Sequence, residues 1–186
     1  MLTRDDLLQR ARALGAPLDV LCFWGHTPPA AGGVGPWCLS QWYEAPFALH
    51  GLHFPTAEHY MMWSKAELFG DGARAEEALR APDPRAAKRA GRLVAGFEPA
   101  RWDAHKRDIV LRGSLAKFGA HPALRAYLLS TAPRVLVEAS PHDAVWGVGM
   151  RASEAARDPA RWRGENLLGF ALMAARDALG AHPGAQ

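Results

Sequence analysis

Two ionisable side chains, Glu58 and Lys65, lie seven residues apart in a segment that Thr56 is suited to cap as an α-helix. Seven residues span two helical turns, so both side chains leave the same face, with Cα atoms about 10 Å apart. Ion pairs within one helix link positions three or four apart, which argues against a simple structural pair. A carboxylate and an amine on one face, beside aromatic residues, suit acid–base or covalent chemistry on a sugar-like substrate.

A second cluster lies far downstream, where Asp143 precedes Trp146, Gly147 and Gly149. An indole is suited to stacking on a flat ring, and the glycines permit close approach of the backbone. This pattern favours a binding role for Trp146. For Asp143 two interpretations stay open, since an Asp in such a turn commonly caps the turn itself.

Basic residues are concentrated between Arg85 and Lys117, where nine basic residues accompany three acidic ones. The whole chain has a formal net charge of only +3, so the rest of it is net negative. A basic segment indicates a partner that carries phosphate. The alternative is a set of solvated helix faces with no specific ligand.

Other common site chemistries find little support in the sequence. The eight histidines are scattered, and the metal-binding spacings CxxC, HxxxH and HExxH do not occur, so we expect neither a metal nor a cofactor. The GxSxG motif of serine hydrolases is missing too. The glycines at 32, 33 and 35 are not followed by the Lys-Ser/Thr of a P-loop.

Composition indicates one globular domain, because 49% of the 186 residues are hydrophobic and 22% are charged. No run approaches the ~18 apolar residues that span a bilayer, and the N-terminus does not resemble a secretory signal. Cys22 and Cys38 form no disulfide framework, so we expect reduced thiols in a cytoplasmic protein that does not associate with a membrane.

Hydrophobic periodicity and capping residues predict an α+β fold, a single mostly helical domain with a few short β-strands and no βαβ alternation. The predicted helices are Thr3–Leu14 with Thr3 as its cap, a Thr56-capped helix ending near Gly70, Ala73–Leu79, one beginning at Pro84, Trp102–Phe118, Pro122–Ser130, and Leu167–Leu179 ended by Gly180. The predicted strands are Val20–Trp24, Leu39–Phe47, His53–Phe54 and Val135–Glu138, with loops at Thr27–Pro36 and Arg161–Gly164.

Short motifs in order along the chain resemble those of the NADAR family, also called YbiA-like. The most specific are Glu-His-Tyr followed by Lys-Ala from Glu58, Ala-Lys-Arg-Ala-Gly-Arg from Ala87, and Gly-Glu-Asn-Leu-Leu-Gly from Gly164. Further matches are the Cys38–Tyr43 segment, Trp102, Arg107, Lys117, Phe118, Leu128–Thr131, Leu136–Glu138, Asp143, Trp146 and Gly147. The resemblance runs from about Leu21 to Arg176. It divides the chain into an N-terminal helical extension (1–20), the family domain (21–180) and a disordered tail (181–186).

The resemblance implies hydrolysis of an N-glycosidic bond between ribose C1′ and a base. The leading expectation is cleavage of early riboflavin biosynthesis intermediates, the ribosylamino-pyrimidine 5′-phosphates, with release of ribose 5-phosphate. One alternative is removal of ADP-ribose from guanine bases in nucleic acid, which makes ADP-ribosylated DNA a second candidate partner. Another is a non-catalytic module that binds NAD or ADP-ribose.

The family chemistry also suggests a role for each matching residue. A carboxylate near C1′, Glu58 or Asp143, stabilises the positive charge of the transition state or activates water. Lys65 is the candidate for attack on C1′ of the ring-opened sugar to give a Schiff base. The expected phosphate ligands are Lys88, Arg92 and Arg107, and the expected substrate contacts are Ser40, Trp102, Trp146, Gly147 and Asn166.

Overall fold

Helices dominate the computed structural model, which describes residues 2–156 and 158–181. In chain order the helices are α1 (Arg4–Leu14), α2 (Ala57–Leu68), α3 (Gly72–Leu79), α4 (Pro84–Arg92), α5 (Pro99–Ala120), α6 (Pro122–Ser130), α7 (Ala152–Ala155) and α8 (Leu167–Ala181). The strands are β1 (Val20–Phe23), β2 (Phe47–Leu49), β3 (Leu52–Phe54) and β4 (Val135–Glu138), and 3-10 turns occupy Pro36–Leu39 and Pro159–Arg161. The predicted α+β, mostly helical fold is confirmed.

The chain forms two units, one of them inserted in the sequence of the other. The two-segment unit comprises residues 1–40 and 123–186, and the inserted unit comprises residues 41–122. The predicted domain boundaries at residues 20 and 180 stay predictions. The predicted tail lies outside the described residues, apart from Ala181, which belongs to α8.

In the two-segment unit, β1 and β4 pair as parallel strands, with Val20 opposite Val135 and Phe23 opposite Glu138. β4 is apolar and almost fully buried because α8 packs against it. The core of this unit includes Leu136, Leu168 and Phe170, each with less than about 2% of its surface exposed. Because the two strands run parallel, the loops that follow them lie at the same edge of the sheet.

The inserted unit begins with a two-stranded antiparallel hairpin, β2 and β3. His50 and Gly51 both have positive φ, as the tight turn between the strands requires. Helices α2 to α5 follow, and α2 packs against each of the other three. Tyr60 stacks among the aromatic rings of Phe54 and Trp63 to form the core on one side of α2.

Side-chain caps fix where the first helices of each unit begin. The hydroxyl of Thr3 accepts from the Asp6 N–H, and that of Thr56 accepts from the His59 N–H. Asp71 and Asp83 cap α3 and α4 in the same way. The two predicted threonine caps are therefore confirmed, and both the strand Val135–Glu138 and the helix Pro122–Ser130 have their predicted bounds.

Several predicted bounds were wrong. The predicted strand Leu39–Phe47 is a 3-10 turn that ends at Leu39, then irregular chain up to β2. Pro36 fixes the first φ of that turn, and Gly35 lies so close to the Trp37 ring that a Cβ would come within 2.4 Å of it. The helix α5 starts at Pro99 rather than Trp102, and α8 continues through Gly180. The short helix α7 was not predicted.

None of the described helices combines the length and the apolar character required to cross a membrane.

Candidate functional site

The Lys65 ammonium group lies in an aromatic pocket of the inserted unit. Its Nζ donates a hydrogen bond to the carbonyl oxygen of Gly91 at 2.7 Å. The same atom is 4.2 Å from the centroid of the Phe97 ring and 5.7 Å from that of Trp102. Cation–π contacts of this kind hold an amine in place without neutralising it. The pocket thus positions Lys65 through α4, the segment after α4, and the start of α5.

Burial lowers the pKa of Lys65 below its usual range. The physical cause is desolvation, which penalises the ammonium relative to the neutral amine. In the described part of the chain, no carboxylate oxygen lies within 4.0 Å of Nζ to offset this penalty. Lys65 therefore has a larger neutral fraction than an exposed lysine, and a neutral amine is the nucleophilic form.

Gly91 allows α2 and α4 to approach closely enough for this contact. A Cβ built at Gly91 would lie 2.1 Å from the Sδ of Met62 and 3.1 Å from its Cβ. Only glycine fits here without movement of a helix or of Met62. Because Gly91 belongs to the last turn of α4, its carbonyl is one of those that a helix leaves without an internal partner. The Lys65 amine occupies that acceptor.

Glu58 lies in the first turn of α2, with only 2% of its surface exposed. Its backbone N–H donates to the Gln41 carbonyl at 3.0 Å. Its Oε1 atom is 4.0 Å from the Nζ of Lys88, which also lies 5.8 Å from the centroid of the Trp42 ring. A buried carboxylate requires a nearby positive charge, and Lys88 supplies one, with the N-terminal end of α2 adding a favourable field.

Glu58 and Lys65 have separate partners on the same neighbouring helix. Glu58 faces Lys88 and Lys65 contacts Gly91, and these two partners are three residues apart on α4. The sequence prediction that both side chains leave one face is confirmed, and that face of α2 is directed toward α4.

The other two predicted phosphate ligands are Arg92 and Arg107. Arg92 is exposed at the end of α4, and Arg107 is half-buried on α5. Neither guanidinium forms an ion pair with a carboxylate among the described residues. Trp102 is half-buried on the first turns of α5, where its ring faces the Lys65 amine.

The Asp143 carboxylate organises a loop of the two-segment unit. Its Oδ1 accepts hydrogen bonds from the backbone N–H groups of Val145 at 2.9 Å and Trp146 at 2.8 Å. The Asp143 carbonyl also accepts from Gly149 at 3.0 Å. These contacts show the capping role that the sequence left open. A catalytic role for Asp143 stays a prediction.

Gly147 fits between backbone segments in the same loop. A Cβ there would lie 2.8 Å from the Glu138 carbonyl oxygen and 2.9 Å from that of Asp143. Trp146 beside it is half-buried.

Ser40 caps the 3-10 turn Pro36–Leu39, where its N–H donates to the Trp37 carbonyl at 3.2 Å.

Asn166 is fully buried and bridges two positions of β4. Its Oδ1 accepts from the Glu138 N–H at 3.0 Å, and its Nδ2 donates to the Leu136 carbonyl at 2.9 Å. Its φ of 57° lies in the left-handed region that asparagine tolerates better than most residues. This structural role accounts for both its type and its conformation, and its predicted contact with substrate stays a prediction.

Sequence reasoning missed three residues of the Lys65 and Glu58 surroundings. Phe97 was not singled out, and Trp42 and Gly91 were noted only within motifs. Periodicity gives no signal for Phe97, because it lies in the irregular segment between α4 and α5.

No group of three or more His, Cys, Asp or Glu side chains in the described residues is arranged to hold a metal ion.

A family model described as the NADAR domain matches residues 22–180. The chain belongs to the NADAR family. N-glycosidase R617 of Acanthamoeba polyphaga mimivirus is 41% identical over 145 residues, which cover 75% of this chain and 85% of the relative. N-glycosidase YbiA of Escherichia coli K12 is 36% identical over 134 residues, 72% of this chain and 76% of that one.

The NMR structure of E. coli YbiA matches the fold, with a TM-score of 0.71 and 28% identity over 92% of this chain and 93% of that chain. A chloroplastic riboflavin biosynthesis protein PYRR of Zea mays is 38% identical over 139 residues, 70% of this chain but 20% of the maize protein. Together with the family match, the N-glycosidase relatives show that this NADAR chain is a hydrolase that acts on N-glycosyl bonds.

Proposed function

We propose that this NADAR protein hydrolyses the C1′–N bond of ribosylamino-pyrimidine 5′-phosphates and releases ribose 5-phosphate. The name of the maize relative supports this substrate class, because it connects a related sequence with riboflavin biosynthesis. The observation that carries the proposal is the half-buried Lys65 amine, which has a lowered pKa and lies against Phe97 and Trp102.

In the proposed reaction, the neutral Lys65 amine attacks C1′ of the ring-opened sugar. In that form C1′ is joined to the pyrimidine nitrogen as an iminium, so the attack forms a C1′–Nζ bond and gives an aminal. A proton then moves from Nζ to the pyrimidine nitrogen, the C1′–N bond to the pyrimidine breaks, and a C1′=Nζ iminium remains. Water then attacks the carbon of the resulting C=N bond and regenerates the Lys65 amine and the aldehyde of ribose 5-phosphate. No redox partner is required at either step.

Glu58 is the proposed acid–base group on the same face. A carboxylate positioned near C1′ stabilises the positive charge that develops there and accepts a proton from the attacking water. Its burial strengthens this field, because little water is present to screen it. Lys88 Nζ lies 4.0 Å from this carboxylate, while the exposed Arg92 and the half-buried Arg107 are the proposed phosphate ligands.

The test is release of free aminopyrimidine from the ribosylamino-pyrimidine 5′-phosphate, measured for the wild type, Glu58→Gln and Lys65→Arg. We expect each variant to lose at least about a hundredfold in kcat, a loss typical of a removed nucleophile or acid–base group. The matched control is Glu67→Gln, which makes the same change at an exposed position of α2. Near-wild-type release by both site variants would refute the assignment.

Borohydride reduction tests the covalent step separately. A Schiff base on Lys65 would be trapped as a stable secondary amine, adding the mass of the reduced sugar phosphate to the peptide that contains Lys65. We expect this adduct with the wild type and none with Lys65→Arg. If the wild type is active but gives no adduct, the N-glycosidase activity stands and the covalent mechanism is refuted.

A second candidate substrate is ADP-ribosylated guanine in DNA. Exposed arginines favour it, because Arg85, Arg89 and Arg92 lie on α4 and Arg101 on the first turn of α5. Release of ADP-ribose from modified DNA, with no release from the ribosylamino-pyrimidine, would identify this substrate. Binding of ADP-ribose without turnover of either compound, unchanged by Lys65→Arg, would indicate a binding module.

A further inference from the structure

A cavity of about 540 Å³ lies in the two-segment unit, at the edge of the sheet where β1 and β4 both end. Its lining comes from the ends of both strands and the segments that follow them, and from the start of α7: Cys22, Phe23, Trp24, Ala139, Pro141, His142, Arg151, Ala152 and Ser153. None of these residues is among the contacts described above for Glu58 and Lys65. Cavities of this volume accommodate small organic ligands.

The carboxyl edge of a parallel sheet is a common place for a ligand, because the loops after adjacent strands open there. Here the two strands remain joined beyond their last paired residues, since the Ala139 N–H donates to the Phe23 carbonyl at 2.9 Å. The opposite wall is fixed as well, because α7 packs against β1. The floor and one wall are therefore formed before any ligand binds.

Trp24 provides a flat surface in this cavity. It is 62% exposed, which is unusual for the largest hydrophobic side chain. The His142 ring lies 6.4 Å from it between centroids, at an interplanar angle of 57°. An exposed indole beside an imidazole is suited to stacking on an aromatic ring.

The polar groups of the lining favour an anion. Arg151 contributes a guanidinium and His142 a ring that bears a nitrogen donor, whereas no Asp or Glu occurs among the described residues that line the cavity. Burial raises the pKa of the Cys22 thiol, which keeps that wall uncharged at neutral pH. A ligand that complements this lining has a flat ring and a phosphate.

We propose that this cavity binds a nucleotide, with the base stacked on Trp24 and the phosphate held by Arg151. The site is separate in its residues from the proposed N-glycosidase chemistry and does not depend on it. A free nucleoside monophosphate and the end of a single-stranded nucleic acid present the same two groups. The test therefore includes both sources.

AMP binding is followed by calorimetry and by the indole N–H signal of Trp24 in ¹H–¹⁵N spectra, assigned with Trp24→Phe. We expect millimolar or tighter AMP to shift this signal and adenosine to bind more weakly. Trp24→Ala should weaken AMP binding at least about fivefold, and Trp24→Phe should largely retain it. Arg151→Gln should reduce AMP affinity to that of adenosine, whereas Arg12→Gln, which removes the same charge from α1, should have no effect.

A four-residue deoxyadenylate oligonucleotide distinguishes the two sources. Equal affinity for AMP and the oligonucleotide supports a free nucleotide, and tighter binding of the oligonucleotide supports a strand end. Glu58→Gln should leave the Trp24 shift unchanged, which separates this site from the catalytic one. An unshifted Trp24 signal at millimolar AMP, or a Trp24→Ala variant that remains folded by its melting temperature and binds AMP as the wild type does, would overturn the proposal.

Discussion

At the scale of single residues, Lys65 connects burial with reactivity. Its amine is held by one neutral acceptor, the Gly91 carbonyl, and by the faces of two rings, none of which removes its charge. Desolvation of the ammonium lowers its pKa. The same position, if exposed, would hold a lysine with a smaller neutral fraction at any given pH.

This environment predicts a rise of kcat/KM with pH. The reactive form is the neutral amine, so activity should increase as pH approaches the lowered pKa of Lys65 and level off above it, below the usual range for lysine. Between the folded and unfolded pKa values the unfolded chain binds more protons, so stability should rise with pH in that window as well. A pH–rate profile that stays flat through the alkaline range would contradict this role of Lys65.

Asp143 allows the structural and catalytic roles of one carboxylate to be separated. Asp143→Ala removes the acceptor for two backbone N–H groups and should lower the free energy of unfolding by about 1–3 kcal/mol. Asp143→Asn keeps an acceptor oxygen and should cost much less. Urea denaturation measures both. If Asp143 also stabilises the transition state, Asp143→Asn should lose activity while it retains stability. An active Asp143→Asn variant would show that the role of Asp143 is limited to stabilising its loop.

At the scale of elements, the contact between α2 and α4 depends on Gly91. Gly91→Ala places a Cβ against Met62, so the helices must separate or Met62 must change its rotamer. We expect a loss of about 1–3 kcal/mol in stability despite the better helix propensity of alanine, with a loss of activity because the Lys65 acceptor moves. Thermal unfolding and the base-release assay measure the two effects.

The control for Gly91→Ala is Gly72→Ala, at the start of α3, where a Cβ meets nothing within 4 Å. A second substitution provides space: Met62→Ala added to Gly91→Ala should recover part of the lost activity. Wild-type stability and activity in the single Gly91→Ala variant would show that the close approach is not required.

Local signals in the sequence predicted most helices because caps act locally. Thr3 and Thr56 determine where α1 and α2 begin, and each does so within three residues of chain. The region from Leu39 to Phe47 was predicted as a strand because its apolar residues suit one. Instead, Pro36 begins a 3-10 turn that ends at Leu39, and the Trp37 ring lies against Gly35. Hydrophobic patterning reveals neither feature.

The candidate site was predictable only as far as one helix. The spacing of Glu58 and Lys65 indicated a shared face, but their partners come from α4, whose approach depends on the size of Met62 and Gly91. The contact of Lys65 with Phe97 depends on the path of the chain between α4 and α5, which no periodic pattern specifies. The family motifs identified Asn166 but not the hydrogen bonds to β4 that account for it.

At the scale of the whole molecule, the inserted unit has most of what independent folding requires. It is one continuous segment, its helices α2 to α4 carry their own side-chain caps, and Tyr60 packs in its own aromatic cluster. Near its two ends, the His121 imidazole contacts the Pro46 carbonyl at 2.8 Å. A domain with an internal core and satisfied helix ends is expected to fold alone.

We therefore predict that residues 41–122, expressed alone, show helical far-UV circular dichroism, a near-UV signal from the aromatic cluster, and a cooperative thermal transition. Tyr60→Ala in this fragment should abolish the cooperative transition, because it removes the centre of the cluster. Glu67→Gln, at an exposed position of α2, serves as the control. A fragment with the spectrum of an unfolded chain would show that the inserted unit depends on the rest of the protein.

The pairing of β1 with β4 has a consequence for synthesis on the ribosome. Val20 and Val135 are neighbours in the sheet but roughly 115 residues apart in the chain. At typical translation rates, β1 emerges on the order of ten seconds before its partner strand. During that interval its apolar residues Leu21 and Phe23 have no strand to pair with, which is the condition that promotes aggregation. The nascent chain is thus most vulnerable before Leu136 is translated, and a chaperone that binds short apolar segments would act on β1 in that period.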